Sequence, residues 1–123
     1  MMRGVTFPAV HRRKGVNDMI HEMASILVKQ GMGGRFEQGF LEALPLFKRA
    51  KGCHGARLER SVEDPLRYLV IVGWETLEDH VVVFRASEDY GRWRDLVGAF
   101  FAAPPSVDHT KIVIDDLATE EFT

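Results

Sequence analysis

Leu66-Arg67-Tyr68-Leu69-Val70-Ile71-Val72-Gly73-Trp74-Glu75 is the stretch on which the fold turns. Between Tyr68 and Trp74 it is apolar at odd and even positions alike, so both faces of the strand it forms are greasy. A strand of that kind belongs in the middle of a sheet with both faces covered. The helices of a short chain cover one face. The other calls for a second layer, and in a chain of 123 residues the obvious source is another copy of the same protein.

Upstream, the polar Val62-Glu63-Asp64-Pro65 reads as a hairpin turn joining this strand to one over 53–61. Downstream, Thr76 with Asp79 resembles a capping box, and Leu77, Val81 and Phe84 follow at helical spacing, so a helix starts at once. Ser87 is a second candidate N-cap. Tyr90, Trp93, Val97 and Phe100 form a further apolar stripe before Pro104-Pro105, so this helix is expected to be broken or bent near Ala86-Ser87. A last strand spans 106–114, ending in Lys111-Ile112-Val113-Ile114, and the acidic stretch 115–123 is a tail that either docks on a partner subunit or stays loose.

Nearer the N-terminus, Phe36, Phe40, Leu44 and Phe47 place large apolar side chains on one face of a helix over 35–49, which Pro45 should kink and Gly52 closes. Residues 23–30, stopped by Gly31, suit a first strand. Residues 1–22, with Pro8 and the basic run His11-Arg12-Arg13-Lys14, show neither periodicity and read as an arm outside the core. The domain is therefore 23–114. Its order, β-α-β-β-α-β, is that of an α+β, ferredoxin-like split βαβ unit, with a four-stranded antiparallel sheet and both helices on one face.

Composition agrees with one ordinary globular domain: 46% apolar, 28% charged and 10% aromatic residues. Sixteen basic against eighteen acidic residues give a net charge of -2, which offers nucleic acid no broad positive field. Cys53 is alone, which excludes an internal disulfide and a zinc site built on several thiolates. No run is apolar enough to cross a bilayer or to serve as a secretory signal, so the expectation is a cytoplasmic protein without membrane or nucleic-acid partners.

The run Trp74-Glu75-Thr76-Leu77-Glu78-Asp79-His80, then Phe84-Arg85-Ala86-Ser87, then Tyr90 and Trp93, resembles the antibiotic biosynthesis monooxygenase (ABM) family. The Phe-x-x-x-Phe helix with Leu44-Pro45-Leu46, the Gly52-Cys53 strand start and the turn over 61–65 agree with it, and the resemblance covers about 23–114. It implies a dimeric α/β barrel, in which two ferredoxin-like sheets face one another and each subunit keeps a pocket between sheet and helices. Some members are quinone-forming oxygenases that oxidise phenolic or anthrone substrates with dioxygen and no metal or flavin. Others degrade haem, and many have no known activity, so the resemblance speaks to fold more sharply than to chemistry. The haem-degrading relatives carry an asparagine on the first strand and a histidine later in the second helix than His80. Here the first strand has Lys29 and Gln30, which counts against that activity.

Cofactor-free oxygenation needs an acidic substrate, a base and a dry pocket. His80, on the stripe between Leu77 and Phe84, is the first candidate base, although a histidine at a pocket rim or dimer seam fits the same position. His109 on the last strand could reach the pocket from the opposite side and complete a catalytic pair. Trp74 shares a strand face with Tyr68, Val70 and Val72 and is a candidate stacking surface for a flat substrate, or else core. Phe84, Tyr90 and Trp93 are the further substrate-binding candidates, with Phe100 and Phe101 behind them, although an aromatic stripe at helical spacing is as readily core.

A metal site from His80, His109 and His54 lacks any motif spacing, and Gly31-Met32-Gly33-Gly34 completes no nucleotide fingerprint, so neither metal nor cofactor is predicted. The expectation is a homodimeric, cofactor-independent monooxygenase acting on a small phenolic or quinol-like compound. A non-catalytic small-molecule-binding protein and an isomerase or lyase on a small metabolite are the alternatives.

Overall fold

In the computed structural model, which describes residues 18–117, the paired register of β1 (Ile20–Leu27) and β3 (Arg67–Trp74) sets the frame. The remaining elements are α1 (Gly33–Lys48), β2 (Cys53–Arg60), a π-helical turn (Asp79–Phe84), α2 (Glu88–Val97), a 3-10 turn (Gly98–Phe100) and β4 (Ser106–Lys111). Every strand pair is antiparallel, and the sheet order is β2-β3-β1-β4, the split βαβ arrangement with the doubly apolar β3 inside it.

Period-two alternation sorts the two central strands onto two faces. Glu22, Ala24, Ile26 and Val28 from the first, and Tyr68, Val70, Val72 and Trp74 from the third, are buried beneath the helices. Phe36, Phe40, Ala43, Leu46 and Phe47 of α1 and Trp93 and Val97 of α2 complete that core. On the opposite face Met23, Leu27, Leu69 and Ile71 are only half-buried, and no helix of the described residues lies over them. None of the helices of the described residues is long and apolar enough to cross a membrane.

Four local departures from the sequence reading have physical reasons. Strand β1 begins at Ile20 instead of Met23, because its partners run from Trp74 back to Arg67, and so three residues assigned to the arm belong to the sheet. Of the rest of that arm, 1–17 lie outside the described residues, as do 118–123 of the tail. Strand β4 stops at Lys111, opposite Ile20, where β1 ends as a partner, and this leaves Val113 and Ile114 87% and 80% exposed. Helix α1 runs unbroken through Pro45. Proline and Leu41 are both exposed, so the carbonyl left without a donor sits on the solvent side. Finally, the segment after β3 is not an α-helix but the π turn, capped by Thr76 Oγ1, which accepts the Asp79 N–H at 3.1 Å. The break expected at 86–87 is present, with Ser87 Oγ accepting the Tyr90 N–H at 3.2 Å to start α2.

The two helices meet closely at Gly39, where an added Cβ would lie 2.9 Å from the Leu96 carbonyl oxygen and 3.1 Å from Val97 Cγ1. A backbone oxygen cannot step aside as a side-chain end does, so Gly39→Ala forces the helices apart. It should lower stability by about 1–3 kcal/mol, as overpacking does, measurable as a lower denaturation midpoint; an unchanged midpoint would mean that Gly39 does not set the helix spacing.

Candidate functional site

Four elements each send one side chain to the same end of the sheet. Trp74 is the last residue of β3, Glu22 comes from β1, His109 lies directly opposite Glu22 on β4, and His80 descends from the π turn. The Trp74 indole N–H donates to Glu22 Oε1 at 3.0 Å, and His80 Nε2 stands 3.3 Å from the same oxygen. On the other side of its ring, His80 Nδ1 is 2.8 Å from His109 Nε2. The imidazole of His80 also lies flat on the Trp74 indole, with centroids 5.2 Å apart and planes 15° from parallel. Glu22, His80 and His109 are thus one chain of close polar contacts resting on an indole, hydrogen-bonded between the two histidines.

The π turn fixes His80 in that chain. Its wider i→i+5 spacing is seen in the Arg85 N–H, which donates to the His80 carbonyl at 3.2 Å, and such turns recur at functional sites. Next door, Asp79 is buried and accepts a 2.9 Å hydrogen bond from Lys51 Nζ. That bond first, and Thr76 after it, hold the Asp79 carboxyl below its usual range despite burial. Gly52, with φ +78°, leaves the room the Asp79 carboxylate fills, since a Cβ there would collide with it. Lys51 and Gly52 therefore seat the start of the turn and, with it, the neighbouring His80.

Burial dominates the titration of the chain. His80 is 3% exposed, and loss of hydration first, then the charges of Arg85 and His109, push its pKa down to about 4. His109 is lowered by burial and then Arg85, with Asp108 opposing. Glu22 is raised by burial, with the Trp74 hydrogen bond and Arg85 opposing. Both histidines are therefore neutral bases near pH 7.

A cavity of about 330 Å³ opens above Glu22 and His80. Ala24, Ile26, Val107, Tyr90, Trp93 and Phe101 form its walls, and the exposed Arg85 and Arg94 stand in its lining as well. Of the residues singled out by sequence, His80, Tyr90 and Trp93 border this space, and His109 joins it through His80. Trp74 and Phe84 do not. The indole face expected to meet a ligand is covered by the His80 ring, and Phe84 is buried against Trp74 and Phe47. Phe100 is likewise not in the lining, whereas Phe101 is.

Sequence reasoning missed Glu22, Arg85 and Arg94. The signal for Glu22 was the alternation Ile20, Glu22, Ala24, Ile26, which puts one acid on a buried strand face. Among the described residues no three His, Cys, Asp or Glu side chains are placed to hold a metal ion, and His54 instead meets Glu75 Oε1 at 2.7 Å.

The linkage has a definite sign. An unfolded His80 takes up a proton below about pH 6.5 that the folded protein refuses until about pH 4. Its contribution to stability is therefore full above pH 6.5 and is lost as pH falls through that window; lowered His109 acts in the same direction, and raised Glu22 in the opposite one. In an NMR titration the His80 ring protons should stay at their neutral positions from pH 8 down to pH 5. A His80 midpoint near 6.5 would show that the ring is hydrated and free.

The profile of the antibiotic biosynthesis monooxygenase family matches residues 19–96. The chain is 37% identical over 91 residues to the uncharacterized protein YczJ of Bacillus subtilis (strain 168), covering 74% of this chain and 96% of that one. Among solved structures, a Bordetella bronchiseptica protein of the antibiotic biosynthesis monooxygenase type is 52% identical and superposes with a TM-score of 0.78, covering 79% of this chain and 99% of that one. A Nitrosomonas europaea protein of the same type shares the fold at 20% identity, with a TM-score of 0.69 and coverage of 79% and 92%.

Proposed function

Because the chain belongs to the antibiotic biosynthesis monooxygenase family, we propose that it is a cofactor-independent monooxygenase acting on a small phenolic or quinol-like compound in the cavity above His80. The observation that carries this reading is the Glu22–His80–His109 chain at the floor of an aromatic-walled cavity.

In this reading His80 is the base. The tautomer this requires has Nδ1–H donating to His109 Nε2 across the 2.8 Å contact, which leaves the Nε2 lone pair beside the 3.3 Å approach to Glu22. A neutral imidazole there removes the proton of an acidic O–H or C–H group, and the Glu22 carboxyl and His109 steady the imidazolium that forms. The substrate anion then passes one electron to dioxygen, and the two radicals combine to form a C–O bond. The peroxide anion takes back the proton held by His80, and the hydroperoxide loses water as its O–O bond and the C–H bond on the same carbon break, leaving a carbonyl. One oxygen atom stays in the product and the other leaves as water, and the substrate itself supplies all the electrons that reduce dioxygen. Apolar walls from Ile26, Val107 and Phe101 keep bulk water from quenching the anion. Trp74 acts from below, as the surface that holds the His80 ring flat.

Oxygen uptake with a panel of anthrones and quinols tests the reading. His80→Ala should lower kcat/KM by roughly 100-fold or more, the usual scale of a lost general base, while His109→Ala keeps part of the activity. Wild type and His80→Ala consuming oxygen alike, or wild type consuming none, would reject it. Turnover of the same compounds under nitrogen would favour the isomerase or lyase alternative.

The assembly follows from the open sheet face. Met23, Leu27, Leu69 and Ile71 form a half-buried apolar surface without a layer over it among the described residues, and in this family the fold is that of a dimeric α/β barrel. We therefore assign this face to a second copy of the chain. Ile71→Asp places a charge at its centre and should convert a dimer to monomers in analytical ultracentrifugation. A wild-type protein that sediments as a monomer would overturn the assignment.

A further inference from the structure

The cavity is charged unevenly from floor to rim. Its floor is Glu22 and the buried His80, and Glu22 is the one acidic group in the lining, with its Oε1 already engaged by the indole of Trp74 and by His80. Toward solvent the lining carries two arginines, Arg85 at the end of the π turn and Arg94 on α2, both exposed. Among the described residues neither guanidinium has a carboxylate within ion-pair distance. This contrasts with Arg49 and Arg92, which both grip Asp89. Arg94 is instead drawn over the wall, donating to Tyr90 Oη at 3.3 Å and lying 5.9 Å from the centroid of that ring. The described part of the acidic tail does not neutralise them either, since the charge of Asp115 is felt at His21, on the opposite face of β1.

Two guanidiniums beside an apolar cavity, neither held in an ion pair among the described residues, form a site for a planar anion, which arginine binds through paired, charge-assisted hydrogen bonds. Between rim and floor the walls are aromatic and aliphatic, and about 330 Å³ is at the small end of ligand cavities, room for one or two fused rings. We infer that the substrate of this site, on the reading that it oxygenates a small aromatic compound, is an aromatic carboxylic acid whose carboxylate is held at the rim by Arg85 and Arg94 while its acidic hydroxyl or C–H group meets His80. The anion would be bound at the opposite end from the reacting atom. Orientation then comes from charge, and a carboxylate on Arg85 also offsets one of the positive charges that hold the His80 pKa down.

Calorimetric titration of the full-length protein with 1,4-dihydroxy-2-naphthoate and with its methyl ester, under nitrogen, tests this inference. The two differ at one end, where the ester's methyl group replaces the charge. The acid should bind at least about tenfold more tightly than the ester in low salt, the usual scale of a charge-assisted pair. That preference should fall to under about threefold in the Arg85→Gln/Arg94→Gln double variant and return in part in Arg85→Lys/Arg94→Lys. Both arginines are exposed, and an unchanged near-ultraviolet circular dichroism spectrum checks that the aromatic walls are intact. Equal binding of acid and ester, tighter binding of the ester, no binding of either, or a preference that survives the double variant would overturn the inference. Oxygen uptake by the same two compounds separates it from the reading beneath it. An acid preference without oxygen consumption keeps the anion site and removes the oxygenase, whereas equal oxidation of acid and ester keeps the oxygenase and removes the anion site.

Discussion

A carboxyl group under a layer of helices must be satisfied or neutralised, and in this chain Glu22 Oε1 is the atom at which that demand is met. Two groups converge on it, the indole N–H of Trp74 from β3 and Nε2 of His80 from the π turn, and His109 on β4 then meets the far side of His80. The arrangement ties three strands and the segment after β3 together at one end of the sheet. No buried side-chain nitrogen or oxygen among the described residues lacks a partner, so this polar chain sits in the core without an orphan. Burial that makes the two histidines costly to charge keeps both neutral, and a neutral imidazole is the form that accepts a proton.

The π turn is what lets this chain exist beside a cavity. The same run of residues wound as an α-helix would carry His80 round by a different angle and return its backbone bonds one residue sooner. The wider turn is not held by its own hydrogen bonds alone. Asp79 is clasped by Lys51 and lodged in the space that Gly52 leaves, so the loop between α1 and β2 helps decide where His80 points. The position of His80 therefore depends on residues far from it in sequence that are not in the cavity lining.

Much of the fold could be read directly. The doubly apolar β3, the stripe of three phenylalanines and a leucine on α1 and the Ser87 cap each carry a strong local period or a specific cap, and each lies where that signal says. The ends of strands were harder. β1 and β4 are bounded by each other's register and not by their own composition, so the apolar Val113 and Ile114 read as strand although nothing stands opposite them. Of the site, His80 and His109 were legible because histidine is the residue whose ordinary pKa suits proton transfer near neutrality. Glu22 was not, because one acid in a strand of ordinary length has no motif. Its meaning comes from burial, which depends on the whole sheet.

Trp74 shows why aromatic residues mislead from sequence alone. An indole at the end of an apolar strand presents a flat face and one donor, and both properties suit a flat ligand as well as they suit a flat side chain. Here the side chain takes both: His80 covers the face, and Glu22 takes the N–H. The wall positions go instead to Tyr90 and Trp93, residues on the helix that follows the π turn, whose rings approach the cavity from the side. The distinction has a chemical consequence. An aromatic ring stacked on His80 limits how far the imidazole can tilt, whereas one in the wall limits the shape of the cavity. The rings are thereby divided between elements, Trp74 of β3 lying against His80 and Tyr90 and Trp93 of α2 facing the cavity, and Phe84 couples the two sets because it packs on both Trp74 and Tyr90.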